Sequence, residues 1–99
     1  MYEETLELLI DGVWRQGGES ESLPLQNPAT GEVIGHVPCA SAKDLDEALH
    51  ASQRAFESWK ALSAHQRAGL MNKAASLLEQ RLPELARVLA QENGKSLRE

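Results

Sequence analysis

The hydrophobic period of this chain changes once, near Ala40. Before that point apolar residues come in short runs separated by turn residues, and after it they recur at three- and four-residue steps. The stretch Asn27-Pro28-Ala29-Thr30-Gly31-Glu32 organises the first part. Pro28 presets φ for the first corner of a type I turn, and Gly31 is able to take the left-handed position that closes a hairpin. Its flanks, Leu23-Pro24-Leu25-Gln26 and Val33-Ile34-Gly35-His36-Val37, are partly β-branched and short enough to pair across it. Upstream, Leu8-Leu9-Ile10, Asp11-Gly12 and Val13-Trp14-Arg15 form the strongest hairpin signal, because a D-G pair adopts a type I′ turn between apolar arms. Residues 1–7 have no clean period and read as a loose lead-in; Gly17 to Ser22 read as a polar connector.

Beyond Ala40 the pattern predicts three helices. Leu45, Ala48, Leu49, Ser52, Ala55, Phe56 and Trp59 fall on one stripe of a helix from about Ala42 to Ala61, opened by Ser41 with Asp44 in a near capping box. Ser63-Ala64-His65-Gln66 opens a second helix, whose apolar side is Leu70, Met71, Ala74, Ala75, Leu77 and Leu78. Pro83 sets the next boundary: inside a helix it costs about 3 kcal/mol, whereas in a first turn it is nearly neutral. The helix is therefore expected to break near Leu82. A third helix presents Leu85, Ala86, Leu89 and Ala90 and stops at Asn93-Gly94, with Gly94 as a left-handed cap. Ser96-Leu97-Arg98-Glu99 repeats the capping pattern, so residues 96–99 are expected to start a truncated helix. The fold class is α/β: two short N-terminal β-hairpins (1–40) followed by three amphipathic helices (41–95). These elements carry more apolar stripe than they can cover among themselves, which is the expectation for a piece of a larger domain.

Composition excludes several functions. A net charge of −5 with scattered bases leaves no basic stripe for nucleic acid. No apolar stretch approaches the ~18 residues of a membrane span, and the first ten residues carry acids where a signal peptide carries bases. A cytoplasmic chain is expected, and the single cysteine, Cys39, excludes an internal disulfide framework.

Candidate chemistry is sparse. Gly94-Lys95-Ser96 imitates the end of a phosphate-binding loop, yet Leu89 stands where its first glycine belongs and a helix leads into it. A dinucleotide fingerprint G-x-G-x-x-G is absent. A nucleophilic Cys39 needs a neighbouring base, and His36, three residues away on an extended segment, projects from the opposite face. His36, His50 and His65 have no metal-ligand spacing. Leu49, Phe56 and Trp59, and likewise Trp14, read as core.

With these parts laid out, the chain resembles the N-terminal segment of the aldehyde dehydrogenase superfamily. The resemblance rests on I-D-G-x-W (Ile10, Asp11, Gly12, Trp14), N-P-A-T-G-E (Asn27 to Glu32) and A-F-x-x-W (Ala55, Phe56, Trp59). It continues through R-A-x-x-L (Arg67, Ala68, with Met71 near the usual leucine), E-L-A (Glu84, Leu85, Ala86) and E-x-G-K (Glu92, Gly94, Lys95). Six motifs in order are specific for the superfamily and say little about the member. Ser96 departs from the proline common at that position, and either residue starts a helix.

The resemblance implies an incomplete piece of a Rossmann-like cofactor-binding domain in an enzyme that oxidises an aldehyde to a carboxylate with NAD or NADP. In that family a cysteine thiolate attacks the aldehyde, hydride passes to the nicotinamide, and a glutamate activates water against the thioester. None of those residues is implied here, so no residue of this chain is expected to be catalytic or to bind cofactor, and the 99 residues alone are expected to be inactive. The implied partners are the remainder of the polypeptide, a small-molecule aldehyde, and further subunits in a homodimer or homotetramer. A semialdehyde, succinate semialdehyde for instance, is the expected substrate class. Some members also hold a structural monovalent cation; its ligands map onto the carbonyls of Leu25 and Gln26 and the side chain of Glu92, hard oxygen donors suited to such an ion. The rival expectation is a stand-alone, non-catalytic module whose exposed helical stripe docks on a protein partner.

Overall fold

The computed structural model describes residues 6–18 and 21–98. Strands β1 (Leu8–Ile10) and β2 (Val13–Arg15) pair antiparallel, with Ile10 opposite Val13. Asp11 and Gly12 both have positive φ, 53° and 74°, the backbone that a type I′ turn demands and that D-G supplies at low cost. Strands β3 (Ser22–Gln26) and β4 (Val33–Pro38) form a second antiparallel pair, with a register shift between Leu25 and Gln26. The intervening turn closes on Asn27, whose carbonyl accepts from Thr30 N–H (3.3 Å) and Gly31 N–H (2.7 Å). The Asn27 side chain adds an Asx turn by accepting from Ala29 N–H at 2.9 Å, and Gly31 takes φ 74°.

The helices are α1 (Ala42–Ala61), α2 (Ala64–Gln80) and α3 (Leu82–Asn93). Ser41 and Asp44 form a complete reciprocal capping box, as do Ser63 and Gln66, so two orphan N-terminal donors are satisfied at each start. Pro83 falls in the first turn of α3, where no intrahelical N–H is required, and only Arg81 separates α3 from α2. Gly94 ends α3 at φ 68°, ψ 17°, donating to the Ala90 carbonyl. Leu97 and Arg98 form a turn; the helix expected at 96–99 depends on Glu99, which lies outside the described residues, as do Met1 to Thr5 of the lead-in and residues 19 and 20 of the connector.

The core is thin. Among the described residues the buried positions are Gly17, Gly35, Pro38, Asp44 and Ala51. On α1 the i, i+3, i+4, i+7 set Asp44, Glu47, Ala48 and Ala51 makes the buried or half-buried face. Leu45, Leu49 and Phe56 lie about 110–150° around the helix from the centre of that face. The expectation of core positions is corrected here: Leu49 is 60% exposed, Phe56 57% and Trp14 63%, and Trp59 is exposed as well. The physical reason is that only small or ion-paired residues let α1 approach its neighbours, while among the described residues the bulky stripe is left uncovered. Helix α2 buries no residue at all.

The result is a slab of 47 × 37 × 16 Å with a radius of gyration of 16.9 Å. A compact chain of this length has a radius near 13 Å. The accessible surface is 8131 Å², whereas a compact monomer of this mass exposes about 5,600 Å². One layer of secondary structure is present where a stable domain needs two or three.

Candidate functional site

Two places bring sequence-distant residues together. The first is centred on Asp44, 6% exposed, where β2, the connector and α1 meet. Its Oδ2 accepts from Gly18 N–H at 2.8 Å and from Ser41 N–H at 2.9 Å, and its own N–H donates to Ser41 Oγ at 3.1 Å. Arg15 Nη2 lies 3.4 Å from Asp44 Oδ1 and 2.6 Å from Glu47 Oε2. These are ion-pair contacts without aligned N–H bonds, and Arg15 Nε is buried with no acceptor. The Gly18 and Ser41 amides hold the Asp44 carboxyl below the ordinary carboxylate range; the Ser41 hydroxyl and the Arg15 charge add to this, and burial opposes it. Gly18 is small for a reason: a Cβ there would stand 3.1 Å from Ser41 Oγ. Beside this node a cavity of about 460 Å³ is lined by Ile10, Asp11, Val13, Arg15, Glu47, His50 and Arg54, and Arg54 is paired with Asp11 at 3.3 Å.

The second place joins the Asn27 turn to the end of α3. A Cβ on Gly94 would stand 3.0 Å from Pro28 Cγ and 3.5 Å from Ala29 N, so helix end and turn are in close contact. Between them lies a groove of about 430 Å³, walled by Asn27 and Ala29 on one side and by Arg87, Ala90, Gln91 and Gly94 on the other, with Lys95 and Leu97 at its end. Positions 87, 90, 91 and 94 are i, i+3, i+4 and i+7, one face of α3.

The sequence-derived candidates fall on or near these places. Leu25 and Gln26 end β3 at its register shift, immediately before the turn, and Glu92 is exposed two residues before Gly94. Thus N-P-A-T-G-E and E-x-G-K, far apart in the chain, meet in space. Among the described residues no group of three or more His, Cys, Asp or Glu is placed to hold a metal ion. Cys39 is half-buried and its N–H donates to the Glu21 carbonyl; His36 is exposed. No helix among the described residues is long and apolar enough to cross a membrane.

Sequence reasoning missed two contacts. Asp44 was legible as a cap, but its hold on Gly18 and Arg15 spans up to 29 residues and leaves no local pattern. The Arg67 guanidinium donates to the Leu62 carbonyl and so satisfies an orphan acceptor after α1. An arginine in the first turn of a helix that follows a tight corner is the signal that was available for it.

Comparison with known proteins places this architecture. The chain is 42% identical over 98 residues to malonate-semialdehyde dehydrogenase 2 of Geobacillus kaustophilus, covering 97% of this chain and 20% of that protein. It is 41% identical over 93 residues to 4-(hydroxymethyl)benzenesulfonate dehydrogenase TsaD1 of Comamonas testosteroni, covering 94% and 20%. The crystal structure of an aldehyde dehydrogenase from Bartonella henselae superposes with a TM-score of 0.89 at 28% identity, over 94% of this chain and 20% of that one. The chain therefore spans about a fifth of the length of the relatives it matches. The aldehyde dehydrogenase family profile matches residues 14–99, nearly the whole chain, and the chain belongs to that family.

Proposed function

We propose that these 99 residues are the N-terminal scaffold segment of an NAD- or NADP-dependent aldehyde dehydrogenase that oxidises a semialdehyde to a carboxylate. The observation that carries this reading is the coverage: the chain aligns over nearly its full length with relatives of which it spans one fifth. The names of the relatives support the substrate class, malonate-semialdehyde dehydrogenases among them. The alternative of an independent interaction module is disfavoured by the bare apolar faces of all three helices, which an evolved free-standing surface would not carry.

The segment's own role is structural. The sequence has no glycine-rich strand-to-helix turn of the kind that cradles a pyrophosphate, and this reading assigns cofactor contacts and chemistry to the remainder of the polypeptide. Asp44 locks the first hairpin and the connector onto α1, and Gly94 seats α3 against the Asn27 turn. Beside that contact we assign a monovalent-cation site to the carbonyls of Leu25 and Gln26 and the carboxylate of Glu92. The register shift between the two carbonyl residues supports it, because a bulge leaves ladder groups unpaired. The whole enzyme is proposed to be a cytoplasmic homodimer or homotetramer.

The test is expression of the full-length polypeptide and measurement of NADH or NADPH formation with malonate semialdehyde and succinate semialdehyde. Aldehyde-dependent reduction is expected, and residues 1–99 alone should give none. No reduction of either cofactor with a panel of aldehydes overturns the reading. Potassium titration of the full-length enzyme with no change in melting temperature overturns the cation site.

A further inference from the structure

The chain has three asparagines, and the residues that follow them differ. Asn27 precedes Pro28, which has no N–H to lose. Asn72 precedes Lys73 in the middle of α2, where the backbone is regular helix. Asn93 precedes Gly94 at the very end of α3. A glycine nitrogen has no neighbouring side chain to hinder it, and a helix end opens before its middle, so of the three Asn93 is the one open to attack by the next backbone nitrogen. In the folded chain the two reacting groups are held apart. Gly94 N–H donates to the Ala90 carbonyl at 2.8 Å, and Asn93 Nδ2 donates to the Leu89 carbonyl at 3.3 Å. The first bond holds the proton that must leave the nitrogen, and the second draws the side-chain amide back over the preceding turn. The Asn27 turn clamps the same point, since a Cβ on Gly94 would stand 3.0 Å from Pro28 Cγ and 3.5 Å from Ala29 N.

We infer that Asn93 is a site of spontaneous deamidation, gated by the contact between the end of α3 and the Asn27 turn. When the helix end lifts off the turn and its last hydrogen bonds open, the Gly94 nitrogen attacks Asn93 Cγ. The N–Cγ bond forms, the Cγ–Nδ2 bond breaks, and the Gly94 amide proton leaves on ammonia. Water then opens the five-membered succinimide at either carbonyl and yields aspartate or isoaspartate, with no oxidant, reductant or cofactor involved. Both products loosen the junction. Aspartate sets a negative charge at the C-terminal end of the helix dipole, next to Glu92. Isoaspartate adds a methylene to the main chain where Gly94 takes its left-handed cap at φ 68°. The chemistry involves only the last turn of α3 and the Asn27 turn, and it stands whatever reaction the full-length polypeptide catalyses.

The test is incubation of the full-length polypeptide at mildly alkaline pH, followed by digestion in acid and peptide mapping by mass spectrometry, with isoaspartate detected by enzymatic methylation. The folded protein should accumulate a mixture of aspartate and isoaspartate at position 93. Its rate should be at least tenfold below that of the same polypeptide unfolded in guanidinium chloride, because the folded chain reacts only through its open fraction. Pro28→Ala, which removes the ring against Gly94 and leaves residues 89–94 unchanged, should speed the folded-state reaction at least threefold. Asn93→Gln should abolish it. No conversion at Asn93 in the folded protein, conversion at Asn72 as fast as at Asn93, or equal rates in folded and unfolded protein overturns the proposal. An unchanged rate in Pro28→Ala that keeps the wild-type circular dichroism overturns it as well.

Discussion

Replacing Gly94 by alanine should destabilise the protein more than the same change at Gly31, and the difference measures how firmly α3 is seated on the Asn27 turn. Both glycines have left-handed backbone, φ 68° and 74°. An L-residue in that region costs about 1–2 kcal/mol. At Gly31 nothing lies within 4 Å of the added Cβ, so Gly31→Ala should cost only that strain. At Gly94 the Cβ arrives 3.0 Å from Pro28 Cγ, a ring atom on a hydrogen-bonded turn that cannot swing aside. Forcing a methyl into such a contact costs a further ~1–3 kcal/mol. The gain from a stiffer unfolded chain is common to both variants and cancels in the comparison. Urea unfolding of the full-length polypeptide, followed at the amides of α3 by hydrogen exchange, reads both effects. Pro28→Ala in the Gly94→Ala background should recover most of the excess, a positive coupling in a double-mutant cycle. If Gly94→Ala costs no more than Gly31→Ala, or if the cycle shows no coupling, the contact between helix end and turn is refuted.

Three further outcomes are expected. Because the folded pKa of Asp44 is depressed, its anchoring contributes at pH above the unfolded carboxylate value, near 3.9, and is lost as pH falls below that through the folded pKa. The difference in urea midpoint between wild type and Asp44→Asn should therefore shrink on acidification from pH 6 to pH 3, and a constant or growing difference contradicts it. Ser63→Ala removes the acceptor for Gln66 N–H and should cost about 1 kcal/mol by urea unfolding, largely restored by Ser63→Asp; no loss contradicts the capping role. The isolated 99-residue chain exposes about 2,500 Å² more than a compact monomer of its mass, so it should bind anilinonaphthalene sulfonate strongly and self-associate on sedimentation; cooperative unfolding without dye binding would show that the slab is complete by itself.

Element boundaries were legible to within a residue or so, because each is marked by chemistry that acts locally. Asp11-Gly12 and Gly31 permit positive φ, Ser41 and Ser63 accept from backbone N–H three residues on, Pro83 rejects a helix interior, and Gly94 accepts a left-handed cap. Family membership was legible for the same reason, since its motifs are mostly these turns and caps. What covers the apolar stripes was not. Periodicity says which residues share a helix face and is silent on whether anything lies opposite, so Leu49, Phe56, Trp59 and Trp14 read as core and stand exposed.

The candidate sites divide along the same line. Leu25, Gln26 and Glu92 were named only through resemblance, and it took the tertiary structure to set the E-x-G-K helix end beside the N-P-A-T-G-E turn. The Asp44 node and the groove between the Asn27 turn and the end of α3 are products of tertiary structure entirely. The sequence by itself determined local backbone conformation, because φ, ψ and the first hydrogen bonds of a turn or cap depend on neighbours within four residues. The tertiary structure alone decided which helix face is buried and which carboxylate meets Arg15 and Gly18, because those depend on contacts between residues tens of positions apart.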